Sequence, residues 1–120
     1  KIYPGPGDAY EKVAKFDERI GLCIDIGHTQ RIGQDPAEAI RKYADRLYDM
    51  HLKDVTKAAP EGSTCACGEG VIDLEAVVQA LIDIKYKYIA SFEYEANAKE
   101  PLPGTMKSVE CIRALQKKLA

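Results

Sequence analysis

No apolar run in these 120 residues reaches the roughly 20 residues needed to cross a bilayer, and no signal peptide opens the chain. The expectation is a cytoplasmic protein with no membrane partner. Charge of one sign is also missing: 17 basic residues meet 19 acidic ones, interspersed, for a net charge of −2. That argues against nucleic acid as a partner and favours a small polar substrate. Paired cysteine motifs are absent, because Cys23, Cys65, Cys67 and Cys111 make no C-x-x-C spacing. Cys65-Ala66-Cys67 has the chemistry to bind zinc, but free thiols in a reducing compartment are the simpler reading. Histidine is scarcest of all the metal-binding types, with only His28 and His51.

What is present has the balance of one globular domain, 46% hydrophobic and 30% charged. The stretch Ile20-Gly21-Leu22-Cys23-Ile24-Asp25-Ile26-Gly27-His28 organises it. An apolar, β-branched run that ends in Asp-x-Gly-His describes a buried strand, Cys23 inside it, carrying a carboxylate and an imidazole out at its C-terminal tip. In α/β folds the chemistry sits at such tips. Two later strands, ending near His51 and Glu93, repeat the arrangement.

Between these strands the chain reads as helices. Asp8 with Glu11 starts a short helix over 9–16 that buries Val13 and Phe16, after a strand end at Lys1-Ile2-Tyr3. A polar loop from Thr29 to Gln34 follows the first strand. Asp35-Pro36-Ala37-Glu38 then joins an N-cap, a proline at the first helical position and an acid at the third. Ala37, Ile40, Tyr43, Ala44 and Leu47 form that helix's apolar face, and near Leu47 the pattern changes to a strand ending in Met50-His51-Leu52-Lys53-Asp54. The segment 55–70 has no periodicity and is long for a passive connection. Asp73 caps a helix striped by Leu74, Val77, Val78, Leu81 and Ile84, and Tyr88 to Tyr94 is the third strand. A loop with Pro101, Pro103 and Gly104 leads to a last helix over 105–119 with Val109, Ile112, Leu115 and Leu119 inward.

Strands alternating with helices at this spacing mean parallel βαβ units. Three such strands leave two open edges, and an eight-stranded barrel takes about 250 residues. The fold class is therefore α/β, either part of a larger barrel or an open sheet. Four motifs narrow this: Asp25-Ile26-Gly27-His28, His51-Leu52-Lys53-Asp54, Gly68-Glu69-Gly70-Val71-Ile72-Asp73 and Ser91-Phe92-Glu93-Tyr94-Glu95. Their order and spacing resemble the sugar phosphate isomerase/epimerase family with the xylose isomerase-like TIM barrel. The resemblance covers nearly the whole chain but only the C-terminal half of such a protein, so 1–120 is expected to be a single partial domain with an incomplete barrel.

The resemblance implies a divalent metal, commonly manganese, magnesium, cobalt or zinc, with Asp25, His51 and Glu93 as ligands and His28 facing the substrate. It also implies a further glutamate ligand from the strand before Lys1, and glycines where Lys85 and Tyr88 stand here. The implied activity is a sugar or sugar-phosphate isomerase or epimerase. The underlying chemistry is simple. A proton next to a carbonyl is too weakly acidic to leave unaided at neutral pH, and a hard cation on the carbonyl and neighbouring hydroxyl oxygens stabilises the enediolate. Glu93 is then the base that shuttles the proton, with Glu95 as the fallback, and a carboxylate on the opposite face would allow epimerisation.

Each residue has an ordinary alternative. Asp25 can cap a loop, and His51 can be a hydrogen-bonded strand-end histidine. Lys53 and Asp54 read more readily as loop solubilisers, though Lys53 can pair with a substrate phosphate. Arg31 and Glu69 read as solvated loop charges, and Gly68 and Gly70 as turn residues. Two other functions stay open. One is a metal-dependent phosphodiesterase or endonuclease of the same barrel type, which needs more histidines and a basic groove. The other is a non-catalytic barrel segment acting by association, a homo-oligomer through its open edges or part of a longer chain.

Overall fold

The computed structural model describes residues 5–120, so the strand end read at Lys1–Tyr3 lies outside the described residues. Helix α1 (Pro6–Val13) leads to strand β1 (Leu22–Asp25), which runs directly into helix α2 (Ile26–Arg31). Helix α3 (Pro36–Lys42) and a single 3-10 turn (Ala44–Arg46) lead to strand β2 (Leu47–Leu52). A small antiparallel pair follows, β3 (Asp54–Val55) with β4 (Thr64–Cys65), then helix α4 (Leu74–Asp83), strand β5 (Ile89–Phe92) and helix α5 (Pro101–Leu119).

The main sheet is parallel, in the order β1-β2-β5. Ile24, Met50 and Ala90 share one register position, and the face they occupy packs against the helices, with Ile40, Val77, Val78 and Ile112 completing the core. This is the geometry of consecutive βαβ units from a barrel wall. The opposite face, which a barrel would turn inward, carries Cys23, Asp49 and Ile89 at one register position and Asp25, His51 and Ser91 at the next. Only the helix-covered face is buried by this chain, so Cys23, expected inside, is exposed, and so is Ile89.

Four elements differ from the expectation. Helix α3 ends at Lys42, so Ala44 falls in the 3-10 turn and Leu47 opens β2 instead of extending the helix's apolar face. Helix α1 starts at Pro6 rather than at residue 9, because Asp8 sits at its third position and accepts a hydrogen bond from the Gly5 N–H at 3.2 Å. It ends before Phe16, which is exposed. The first half of the polar stretch after His28, Thr29 to Arg31, is helical because Asp25 caps helix α2, and only 32–34 is a loop. The Asp25 Oδ1 accepts the His28 N–H at 2.8 Å, and its carbonyl accepts the Thr29 hydroxyl at 2.7 Å. Helix α5 begins at Pro101, not at residue 105. Prolines break helix interiors but fit the first turn, where the N–H has no intrahelical acceptor anyway.

Other signals are met as written. Asp35 accepts from the N–H groups of Ala37 and Glu38, and Asp73 accepts from Ala76. Helix α4 ends in a paired cap, with Lys85 N–H donating to Ile82 O and Tyr86 N–H to Leu81 O, both at 2.9 Å. The residue after the C-cap of such a motif needs a left-handed backbone. Lys85 supplies it at φ +52°, where glycine is the usual occupant.

Candidate functional site

The three strand tips bring the expected donors together. Asp25 ends β1 and His51 stands opposite it on β2, while Glu93 extends β5 by one residue, its N–H donating to Leu52 O at 3.0 Å. With Oδ1 of Asp25 engaged in capping α2, Oδ2 faces the neighbouring strand tip. It lies 3.8 Å from His51 Nδ1, which in turn is 3.4 Å from Glu93 Oε2. One donor atom from each of the three residues falls within a sphere of contacts no longer than 4.8 Å.

His28 is placed at the rim. It rides the first turn of α2, exposed, with Nε2 3.8 Å from Asp25 Oδ2. Lys53 corrects the reading of a loop solubiliser. Its side chain is 2% exposed and its ammonium touches Glu93 Oε2, 3.0 Å from Asp25 Oδ2 and 3.2 Å from Glu95 Oε2. Burial pushes the lysine pKa down, but the Glu93 and Asp25 contacts outweigh it and hold the ammonium above its ordinary value. Burial likewise pushes Asp25 up, and the His28 N–H and the Lys53 ammonium outweigh it, leaving its carboxyl below the usual range. Glu95 Oε2 also accepts the Thr64 hydroxyl at 3.2 Å, which ties β4 to the site.

The residue that sequence reasoning missed is Asp54. It is fully buried, and its carboxylate accepts four backbone N–H groups: Val55 and Ile72 at Oδ1, Gly68 and Gly70 at Oδ2. This one side chain folds the long 55–70 segment back over the strand that carries His51 and Lys53. The signal was Gly68-x-Gly70, read only as a turn. Gly68 does take a positive φ of 90°, but a Cβ on Gly70 would collide with the Asp54 carboxylate. Arg31 is also not simply solvated: it is half-buried, with Nη2 donating to Pro60 O at 2.6 Å. Glu69 pairs with Lys107 at 2.7 Å, both exposed, as a loop charge does.

The donor chemistry fits a divalent cation. Two carboxylate oxygens and an imidazole nitrogen suit a hard or borderline ion, and bonds of about 2.0–2.2 Å place neighbouring donors close to the separations seen here. Lys53 shares two of those oxygens, so a cation entering the cluster meets an ammonium already bound to it. Among the described residues no helix is long and apolar enough to cross a membrane.

Residues 5–115 match the family model described as xylose isomerase-like TIM barrel. Among curated proteins the chain is similar to an inosose dehydratase of Clostridium perfringens, 28% identical over 109 residues, covering 77% of this chain and 37% of that protein. Among solved structures it resembles a D-tagatose 3-epimerase-like protein, with a TM-score of 0.74, 25% identity, and coverage of 97% of this chain and 43% of that one. A xylose isomerase domain protein from Planctomyces limnophilus shares the fold, with a TM-score of 0.79 at 21% identity over 96% of this chain and 44% of that one. The chain thus spans less than half the length of the proteins it matches.

Proposed function

The chain belongs to the xylose isomerase-like TIM-barrel family, and on that footing we propose that it is the C-terminal part of a metal-dependent sugar or sugar-phosphate isomerase or epimerase. The observation that carries the reading is the convergence of Asp25, His51 and Glu93 at the tips of three adjacent parallel strands. A divalent cation held there would supply positive charge to the carbonyl and hydroxyl oxygens of the substrate as a neighbouring C–H loses its proton.

This chain's residues do the rest. Asp25 and His51 would hold the cation, Asp25 being held in turn by the α2 backbone. Glu93, half-buried with one oxygen on the Lys53 ammonium, has the carboxylate that takes the proton from the substrate carbon and returns it to the neighbouring carbon. His28, exposed at the rim, hydrogen-bonds substrate hydroxyls. Lys53 sets a fixed positive charge against the oxygen or phosphate that carries negative charge. A further glutamate from a preceding strand would complete the ligand set and, on the opposite face, the second base needed for epimerisation.

A second reading shares the first step. The curated relative named above is an inosose dehydratase, and loss of a hydroxyl β to the carbonyl after the same proton removal gives dehydration instead of isomerisation. A nuclease is disfavoured by two histidines, of which only His51 joins the cluster among the described residues, and by the net charge of −2.

The test is solvent exchange. The intact gene product, stripped of metal and reloaded with manganese, is incubated in D2O with a panel of ketohexoses, their phosphates and inosose, and followed by proton NMR. Deuterium should enter the carbon beside the carbonyl only with metal present, and loss of a β-hydroxyl would identify the dehydratase. No exchange with any member of the panel would end the proposal.

A further inference from the structure

One pleat deeper than Asp25 and His51, on the same face of the sheet, the one a barrel would turn inward, Cys23 and Asp49 stand opposite each other across β1 and β2. Residues i and i+2 of a strand project from the same face, so Cys23 lies beneath Asp25 and Asp49 beneath His51. Together with His51 they form a second set of donors: one thiol sulfur, one carboxylate oxygen and one imidazole nitrogen, all within 4.8 Å of one another. The Asp49 Oδ1 accepts the Met50 N–H at 2.8 Å, which leaves Oδ2 for a ligand.

We infer that Cys23, Asp49 and His51 make a second cation position, selective for zinc or another thiophilic divalent ion. The upper set offers two carboxylates and an imidazole, a choice that suits manganese and magnesium as well as zinc. The lower set replaces a carboxylate with sulfur. Zinc–sulfur and zinc–nitrogen bonds of about 2.3 and 2.0–2.1 Å place such donors roughly 3.5 Å apart in a tetrahedron, which small side-chain rotations reach from the present spacing. Binding releases the thiol proton to solvent.

His51 belongs to both sets, so the two positions exclude each other unless the imidazole bridges. An ion in the lower position therefore takes His51 from the upper one, and the hard ion loses its only nitrogen ligand among the described residues. The chain sorts metals by depth. The inference goes beyond the proposed reaction and needs only His51 in common with it.

Cobalt(II) titration of the metal-free intact gene product tests this, because a cobalt–thiolate bond gives a near-ultraviolet charge-transfer band that oxygen and nitrogen ligands do not. The band should appear in the wild type, vanish in Cys23→Ser and persist in Glu93→Gln, which removes a ligand of the upper set alone. A band that survives Cys23→Ser, one that is lost equally in Glu93→Gln, or cobalt binding with no band in the wild type would each overturn the inference. Failure of the exchange assay above with the cobalt band intact would reject the reaction and leave this site standing.

Discussion

Replacing Asp54 with asparagine should cost the protein about 3 kcal/mol. The carboxylate is fully buried and satisfies four N–H donors at 2.8 to 3.1 Å, two on each oxygen. Asparagine keeps one oxygen and turns an NH2 toward the other pair of donors, so two hydrogen bonds are lost and two amides are left facing a donor. At about 1.5–3 kcal/mol for each bond to a charged acceptor the loss is roughly 3–6 kcal/mol. The neutral amide is easier to bury than the carboxylate, which places the net value at the low end. Against a typical total of about 5–15 kcal/mol this is a large fraction. Urea unfolding of the intact gene product, with and without the substitution, measures it as a lower midpoint at unchanged slope. A shift below about 1 kcal/mol would refute the claim that this carboxylate organises the segment. Gly70→Ala is the companion, since its Cβ collides with the same carboxylate and should destabilise in the same direction.

Glu93→Gln keeps the shape of the side chain and removes the base; we expect about a 10²–10⁴-fold loss in the rate of metal-dependent deuterium exchange with an unchanged circular dichroism spectrum, and retained exchange would transfer the role to Glu95. Lys85→Gly relieves a left-handed backbone that costs a side-chain-bearing residue about 1–2 kcal/mol, less the entropy that glycine adds to the unfolded chain. The melting temperature should stay level or rise, and a fall of several degrees would show that the Lys85 side chain has a stabilising role of its own. Cys67 is buried and its thiol is pushed up to about 11 by that burial. At pH 8 roughly one molecule in a thousand then carries the thiolate, so iodoacetamide should modify Cys67 far more slowly than an unstructured thiol, with the rate rising about tenfold per pH unit; labelling at the rate of the unfolded chain would contradict the packing.

The strand tips were legible because each combines a local signal with a chemical one: an apolar β-branched run and then a residue able to bind metal. Asp25, His51 and Glu93 stood out for that reason, and their convergence needed only the parallel order. The starts of α3 and α4 were equally open, since Asp35 and Asp73 cap them through bonds local in sequence. What stayed hidden was set by distant partners. Lys53 and Asp54 look like surface charges until residues 68–72 and 93–95 come back to meet them. Helix α2 was hidden for a different reason. Asp25 serves both as strand end and as helix cap, so the polar residues after it carried no separate start signal. Cys23 read as buried because the run around it is apolar, whereas in this chain alone only one face of β1 is covered.

The carboxylate that caps α2 and the carboxylate that meets the cation cluster are the same side chain, and this explains the charge balance at the mouth. Three carboxylates, from Asp25, Glu93 and Glu95, meet one ammonium from Lys53, and these four groups leave two negative charges in excess. A divalent cation closes that excess, where a second lysine would only halve it. The ammonium cannot do the cation's work, because its stem is confined by the Gly27 backbone, where a Cβ would collide with the lysine side chain. Lys53 therefore stays beside the carboxylates as a fixed charge and cannot follow a substrate. Any ion that enters is bound against a neighbour of the same sign, which weakens its hold and favours oxygen ligands from a substrate that can spread the negative charge.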